Sequence, residues 1–149
     1  MPPPKTVREA AELFLEVMYF GQKRHMEEAA GEIGLTPPLA GTLWHLKPDQ
    51  PMSMGALAEV MRCDASNITS IVDKLETRGF VRRQALESDR RVKLLALTEE
   101  GVKARTEFLD SARQPAPWLL ALSGADQITL RDILRRAVDT LPKRDAADD

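Results

Sequence analysis

Apolar positions along this chain change their period partway, and the change divides it into predicted elements. From Thr6 to Ala30, Val7, Ala11, Phe14 and Met18 recur at spacings of four and three, which predicts a long amphipathic helix. Gly31 and Gly34 punctuate the chain. Thr36-Pro37 then offers an N-cap with proline in the first turn, where its missing amide proton costs nothing. The helix that follows aligns Leu39, Leu43 and Leu46 and ends before Pro48, and residues 48–51 read as a turn. Ser53 can cap a short helix to about Met61 that buries Leu57 together with Val60 or Met61. Arg62-Cys63-Asp64 is the next turn. Asp64 or Ala65 opens a second helix to Arg78, with Ile68, Val72 and Leu75 as its apolar stripe and Ile71 beside them. Gly79 stands where a left-handed C-cap is wanted.

After Gly79 the period drops to roughly two. Residues 80–84 and 92–97 read as strands, joined by an exposed polar loop over 85–91. A hairpin protruding from a helical domain is a wing. Thr98, with Glu99 and Glu100 behind it, starts another helix, the acids favourably placed in its first turn. That helix is expected to stop or kink at Pro115-Ala116-Pro117. Ser123 and Asp126 have capping-box spacing, and the final helix carries Leu130, Ile133, Leu134, Ala137, Val138 and Leu141 on one face. The tail from Lys143 to Asp149 is expected to be disordered.

Composition narrows the class. A chain of 149 residues suits one domain with a real core, and 43% apolar residues is too many for a disordered one. The apolar stretches are too short to span a bilayer, and no signal-peptide core follows Met-Pro-Pro-Pro-Lys, so the cytoplasm is the expected compartment. Cys63 is the single cysteine, which excludes an intramolecular disulfide and a thiolate zinc cluster. With only His25 and His45 available, no metal or cofactor is expected. The outer helices carry more apolar stripe than the winged lobe could cover, so two chains are expected to pack these helices together.

The net charge of −2 argues against non-specific nucleic-acid binding, but its distribution is uneven. Residues 53–97 carry 8 Lys/Arg against 6 Asp/Glu, whereas 1–52 carry 5 against 7 and 98–149 carry 8 against 10. Any phosphate-facing surface therefore belongs to the middle of the chain. There the second short helix leaves Ser66, Asn67, Thr69, Ser70, Asp73 and Lys74 off its apolar stripe. Hydroxyls can donate or accept at base edges, Asn can bind adenine bidentately, and long cations suit phosphates. Arg90 and Arg91 lie near the wing tip, with Arg82, Arg83 and Lys93 on its strands; arginine at such a tip suits a narrow minor groove. A polar helix face or an arginine pair is, alone, usually just a wet surface. The order of the parts carries the DNA reading. No phosphate loop, His-x-x-x-His or paired-carboxylate spacing supports an enzyme.

Residues 53–101 resemble the DNA-binding lobe of the MarR (multiple antibiotic resistance) family of regulators. The matching segments are Leu57-Ala58, Ile68 through Glu76, Arg78-Gly79-Phe80-Val81-Arg82-Arg83, Ser88-Asp89-Arg90-Arg91, and Leu97-Thr98-Glu99-Glu100-Gly101. The resemblance implies a mainly α fold with a small β-hairpin wing: one domain over 1–149, a winged helix-turn-helix lobe at 36–97, and dimerisation helices at 6–30 and 98–141. It implies a homodimer on a pseudo-palindromic duplex operator, with Ser66, Asn67, Thr69, Ser70 and Lys74 in the major groove. Arg82, Arg83, Arg91 and Lys93 would serve the wing and DNA backbone, and Arg90 would enter the minor groove. Asp89 would pair with nearby arginines and shape the wing. By the same analogy a small aromatic or phenolic acid, held among Tyr19, His25, Met26, Trp44 and His45, would release a repressor from DNA. The alternatives are an activator of the same fold or a winged-helix interaction module that does not read DNA. Cys63 lies at the helix-turn-helix corner, away from the N-terminal helix where the sensing cysteine of some relatives is expected, so it reads as structural. The Pro115–Pro117 break is unusual for the family and leaves the half-site spacing open.

Overall fold

Burial and helix capping account for most of the architecture in the computed structural model, which describes residues 3–89 and 91–141. The chain divides into two compact units, Met1–Gln114 and Pro115–Asp149. The first holds α1 (Lys5–Glu16), a π-helical stretch (Val17–Gln22), α2 (Lys23–Glu32), α3 (Pro37–His45), β1 (Met52–Ser53), α4 (Met54–Met61), α5 (Ala65–Thr77), β2 (Val81–Ala85), β3 (Lys93–Leu97) and α6 (Glu99–Ala112). The second holds α7 (Pro117–Leu120) and α8 (Gly124–Asp139). The expected disordered tail lies outside the described residues.

Local chemistry sets the helix ends. Ser53, Asp64, Thr98 and Ser123 each accept a hydrogen bond from the backbone N–H three residues on, satisfying one orphan donor of the first turn. At the end of α5 the Phe80 N–H donates to the Leu75 carbonyl and the Gly79 N–H to the Glu76 carbonyl, a Schellman closure that needs the φ of +75° at Gly79. The end of α4 closes in the same way through Cys63 to Ala58 and Arg62 to Glu59, with Arg62 rather than glycine at φ +49°.

The core of the first unit joins the predicted stripes. Leu39, Leu43, Leu46, Leu57, Ile68, Val72 and Leu75 are buried with Val81, Leu95, Ala104 and Phe108. Thr42 is buried among them and meets its needs by donating to the Pro38 carbonyl at 2.9 Å.

Three features depart from the expectation. The long first helix is interrupted by the π-helical stretch. The wing is a three-stranded antiparallel sheet, order β1-β3-β2, because Met52 and Ser53 pair with Leu95 and Leu94. Between the proline break and the last helix, Pro117 at the first helical position starts the short α7.

Candidate nucleic-acid interface

Helix α5 is presented with its apolar stripe in the core and its polar positions outward, since Ile68, Val72 and Leu75 are buried while Ser66, Asn67, Thr69, Ser70, Asp73 and Lys74 are exposed. Its N-terminus is held by Asp64, whose carboxylate accepts from the Asn67 N–H at 2.8 Å and from the Ser66 hydroxyl at 2.7 Å. Those bonds, the Ser66 hydroxyl first and the Asn67 amide next, hold the Asp64 carboxyl below its ordinary value.

The exposed polar groups are not equally available. The Ser66 hydroxyl is committed to Asp64, and the Thr69 hydroxyl donates to the Ala65 carbonyl at 2.8 Å. The side chains of Asn67, Ser70 and Lys74 have no intramolecular hydrogen bond or ion pair among the described residues. Spaced i, i+3, i+7, they share one face and line a shallow cavity of about 240 Å³ with Thr36, Pro38, Met61 and Cys63.

In the wing, Asp89 shapes the loop through the backbone: its carboxylate accepts from the Arg91 N–H at 3.0 Å, and its carbonyl accepts from the Val92 N–H at 3.0 Å. Leu86 closes the loop by donating to the Val92 carbonyl. Arg90 lies outside the described residues. Arg82, Arg91 and Lys93 are exposed and form no ion pair among the described residues. Arg83 differs. Its guanidinium binds Asp73 at 2.5 Å and also Glu76, which turns it toward α5 and raises its pKa, chiefly through the Asp73 hydrogen bond. Nothing in the strand pattern signals that pairing.

A joint ties the wing to the following helix. The Thr98 hydroxyl donates to the Gly79 carbonyl at 2.5 Å, and the Thr98 N–H donates to the Phe80 carbonyl at 3.0 Å.

The five residues assigned to an effector pocket have diverse surroundings. Tyr19 is exposed on the π-helical stretch, edge-on to Phe20 at 5.1 Å, with Lys23 Nζ 4.8 Å above its ring. Met26 packs against the core. Trp44 is half-exposed and edge-on to Phe108 at 6.2 Å, so neither aromatic stacks on another of the five. His25 and His45 are half-buried, and the Nε2 of His25 is shut from solvent without a hydrogen-bond partner among the described residues. Arg105 was missed by sequence reasoning. Its guanidinium donates to the Trp44 carbonyl at 3.4 Å, its Nε is buried without a partner among the described residues, and burial, then the nearby Arg113, lowers its pKa. No group of metal-binding side chains occurs among the described residues, and no helix there is long and apolar enough to cross a membrane.

A capped, polar-faced helix after a tight turn, followed by a small basic sheet, defines a winged helix-turn-helix. The MarR family model matches residues 35–93. A Thauera aromatica protein proposed to regulate transcription of the hcr operon is 35% identical over 104 residues, covering 69% of this chain and 63% of that protein. The transcriptional repressor MdtR of Bacillus subtilis is 31% identical over 60% of this chain and 58% of its own length. The chain thus spans about three fifths of these two relatives. A MarR family protein from Bacillus stearothermophilus shares the fold, with a TM-score of 0.75 at 24% identity over 93% of this chain and 97% of that one. The winged lobe of this chain, residues 35–93, is a MarR family domain.

Proposed function

We propose that this chain is a DNA-binding transcriptional regulator that reads duplex DNA as a homodimer. The observation that carries the reading is the polar face of α5, where Asn67, Ser70 and Lys74 have no side-chain partner among the described residues and stand beside a basic wing. Asn67 and Ser70 read base edges, Lys74 meets phosphate, and Ser66 and Thr69 contribute the lone pairs their internal bonds leave free. Arg82, Arg91 and Lys93 face the DNA backbone, and Arg90 enters the minor groove.

Exposed apolar surface on the outer helices supports dimerisation. Phe14 and Met18 on the first helix, and Ile133, Leu134 and Val138 on α8, are exposed. The α8 side also bounds an apolar groove of about 740 Å³ that includes Trp118, Leu130 and Leu134. One domain over 1–149 thus combines a reading lobe at 36–97 with dimer helices at 6–30 and 98–141, and it works in the cytoplasm on a pseudo-palindromic operator. The likeness to named repressors supports repression, relieved by a small aromatic or phenolic acid near Trp44, where Arg105 is the cation its carboxylate would meet. Catalysis has no part in this reading.

Selection from a random duplex library at near-physiological salt tests it. The expected result is an enriched inverted repeat with half-sites about 10 base pairs apart. Absence of any enriched sequence would remove the DNA reading and favour an interaction module.

A further inference from the structure

We propose that Arg83 is a positioning residue for DNA recognition, locking the wing to the recognition helix through Asp73 and Glu76 rather than contacting phosphate. The inference rests on the DNA-binding reading above. Asp73 and Glu76 lie one turn apart on α5, so their carboxylates share a face, and β2 returns Arg83 to that face. The guanidinium binds Asp73 Oδ1 through Nη2 and Glu76 Oε2 through Nη1. The Arg83 backbone N–H also donates to Glu76 Oε1 at 3.2 Å, so one carboxylate holds both the strand and its side chain.

With its two terminal nitrogens engaged and the side chain 26% exposed, Arg83 has little left to offer a phosphate. Arg82, one position earlier, is exposed and without an ion pair among the described residues. The forked guanidinium is what this geometry requires, because an ammonium cannot bind two carboxylates in fixed directions. Pairing also offsets one of the two negative charges that would otherwise lie uncompensated beside the reading surface. The clamp fixes the angle between α5 and β2, so base-reading and wing side chains reach DNA together.

The test compares the salt dependence and base discrimination of wild type, Arg83→Gln, Asp73→Asn and the double variant on a selected duplex. Removing one phosphate-binding cation from each protomer lowers the slope of log affinity against log salt by about 1.8. For Arg83→Gln the expected result is about a tenfold loss on the selected duplex. The slope stays unchanged and the ratio of specific to non-specific affinity falls. The double variant should be no worse than Arg83→Gln alone, because both substitutions break the same ion pair. A slope reduced by about 1.8, or additive losses, would overturn the clamp and assign Arg83 to phosphate. If Arg83→Gln does not fold, the exposed Asp73→Asn decides, since an unchanged specificity ratio there also overturns it. A wild type that prefers no duplex defeats the DNA reading itself, whereas a discriminating wild type with a reduced slope in Arg83→Gln defeats only this proposal.

Discussion

Gly101 and Phe80 meet backbone to backbone: a Cβ placed on Gly101 would lie 1.9 Å from the Phe80 carbonyl oxygen. That oxygen accepts from the Thr98 N–H, and the Thr98 hydroxyl caps α6 by accepting from the Gly101 N–H at 3.0 Å. The first turn of α6 is thereby seated on the chain leaving α5, and glycine is what permits the approach.

Gly101→Ala is expected to destabilise the fold by about 3 kcal/mol, because the clash is with backbone and no flexible side chain can yield. Chemical denaturation measures this. A loss below about 0.5 kcal/mol would mean that α6 shifts freely on its seat.

Arg62 occupies a left-handed C-cap position that glycine adopts without a Cβ penalty. Arg62→Gly should therefore stabilise the protein by up to about 1 kcal/mol, the relief of strain exceeding the entropy cost of glycine. A lower midpoint in the same denaturation assay would show that the arginine side chain contributes more than its backbone costs.

On the reading face, Asn67→Ala should cost about 1–3 kcal/mol of affinity for the selected duplex and relax preference at one base position, leaving the salt slope intact. Lys74→Ala should weaken all duplexes alike and reduce the slope by about 1.8 for the dimer. If the two variants behave identically, the division between base and phosphate contacts is wrong.

Cys63 is half-buried and donates weakly from Sγ to the Met61 carbonyl at 3.3 Å. Cys63→Ser should preserve stability within about 0.5 kcal/mol and preserve DNA affinity, since serine can make the same bond. Loss of an oxidant response in this variant would instead identify a sensing thiol.

Phe14→Glu places a charge on the exposed apolar face of α1, and on the proposed homodimer reading it converts dimer to monomer, with loss of duplex binding because two half-sites are no longer bridged. Sedimentation equilibrium reads the first effect and mobility shift the second. A dimer of unchanged affinity would move the interface away from α1.

The element order was legible in the sequence because its signals are local. Asp64, Thr98 and Ser123 satisfy donors three residues ahead, Gly79 adopts a conformation that costs most side chains energy, and the Ile68-Val72-Leu75 stripe reports one buried helix face. Strand β1 was not legible, since two residues carry no period of their own and pair only when Leu94 and Leu95, more than 40 positions away, arrive beside them. The same limit applies to the candidate site. A cation on a strand looks free to bind phosphate until folding brings a carboxylate within reach, as happens to Arg83 and does not happen to Arg82 among the described residues. By itself, then, the sequence determined where the capped helices and the two wing strands lie, which faces are apolar and where positive charge accumulates, all properties of neighbours along the chain. Tertiary structure alone decided which of the wing cations are already spent and which remain available, because ion pairs between elements depend on distances that exist only after the chain has packed.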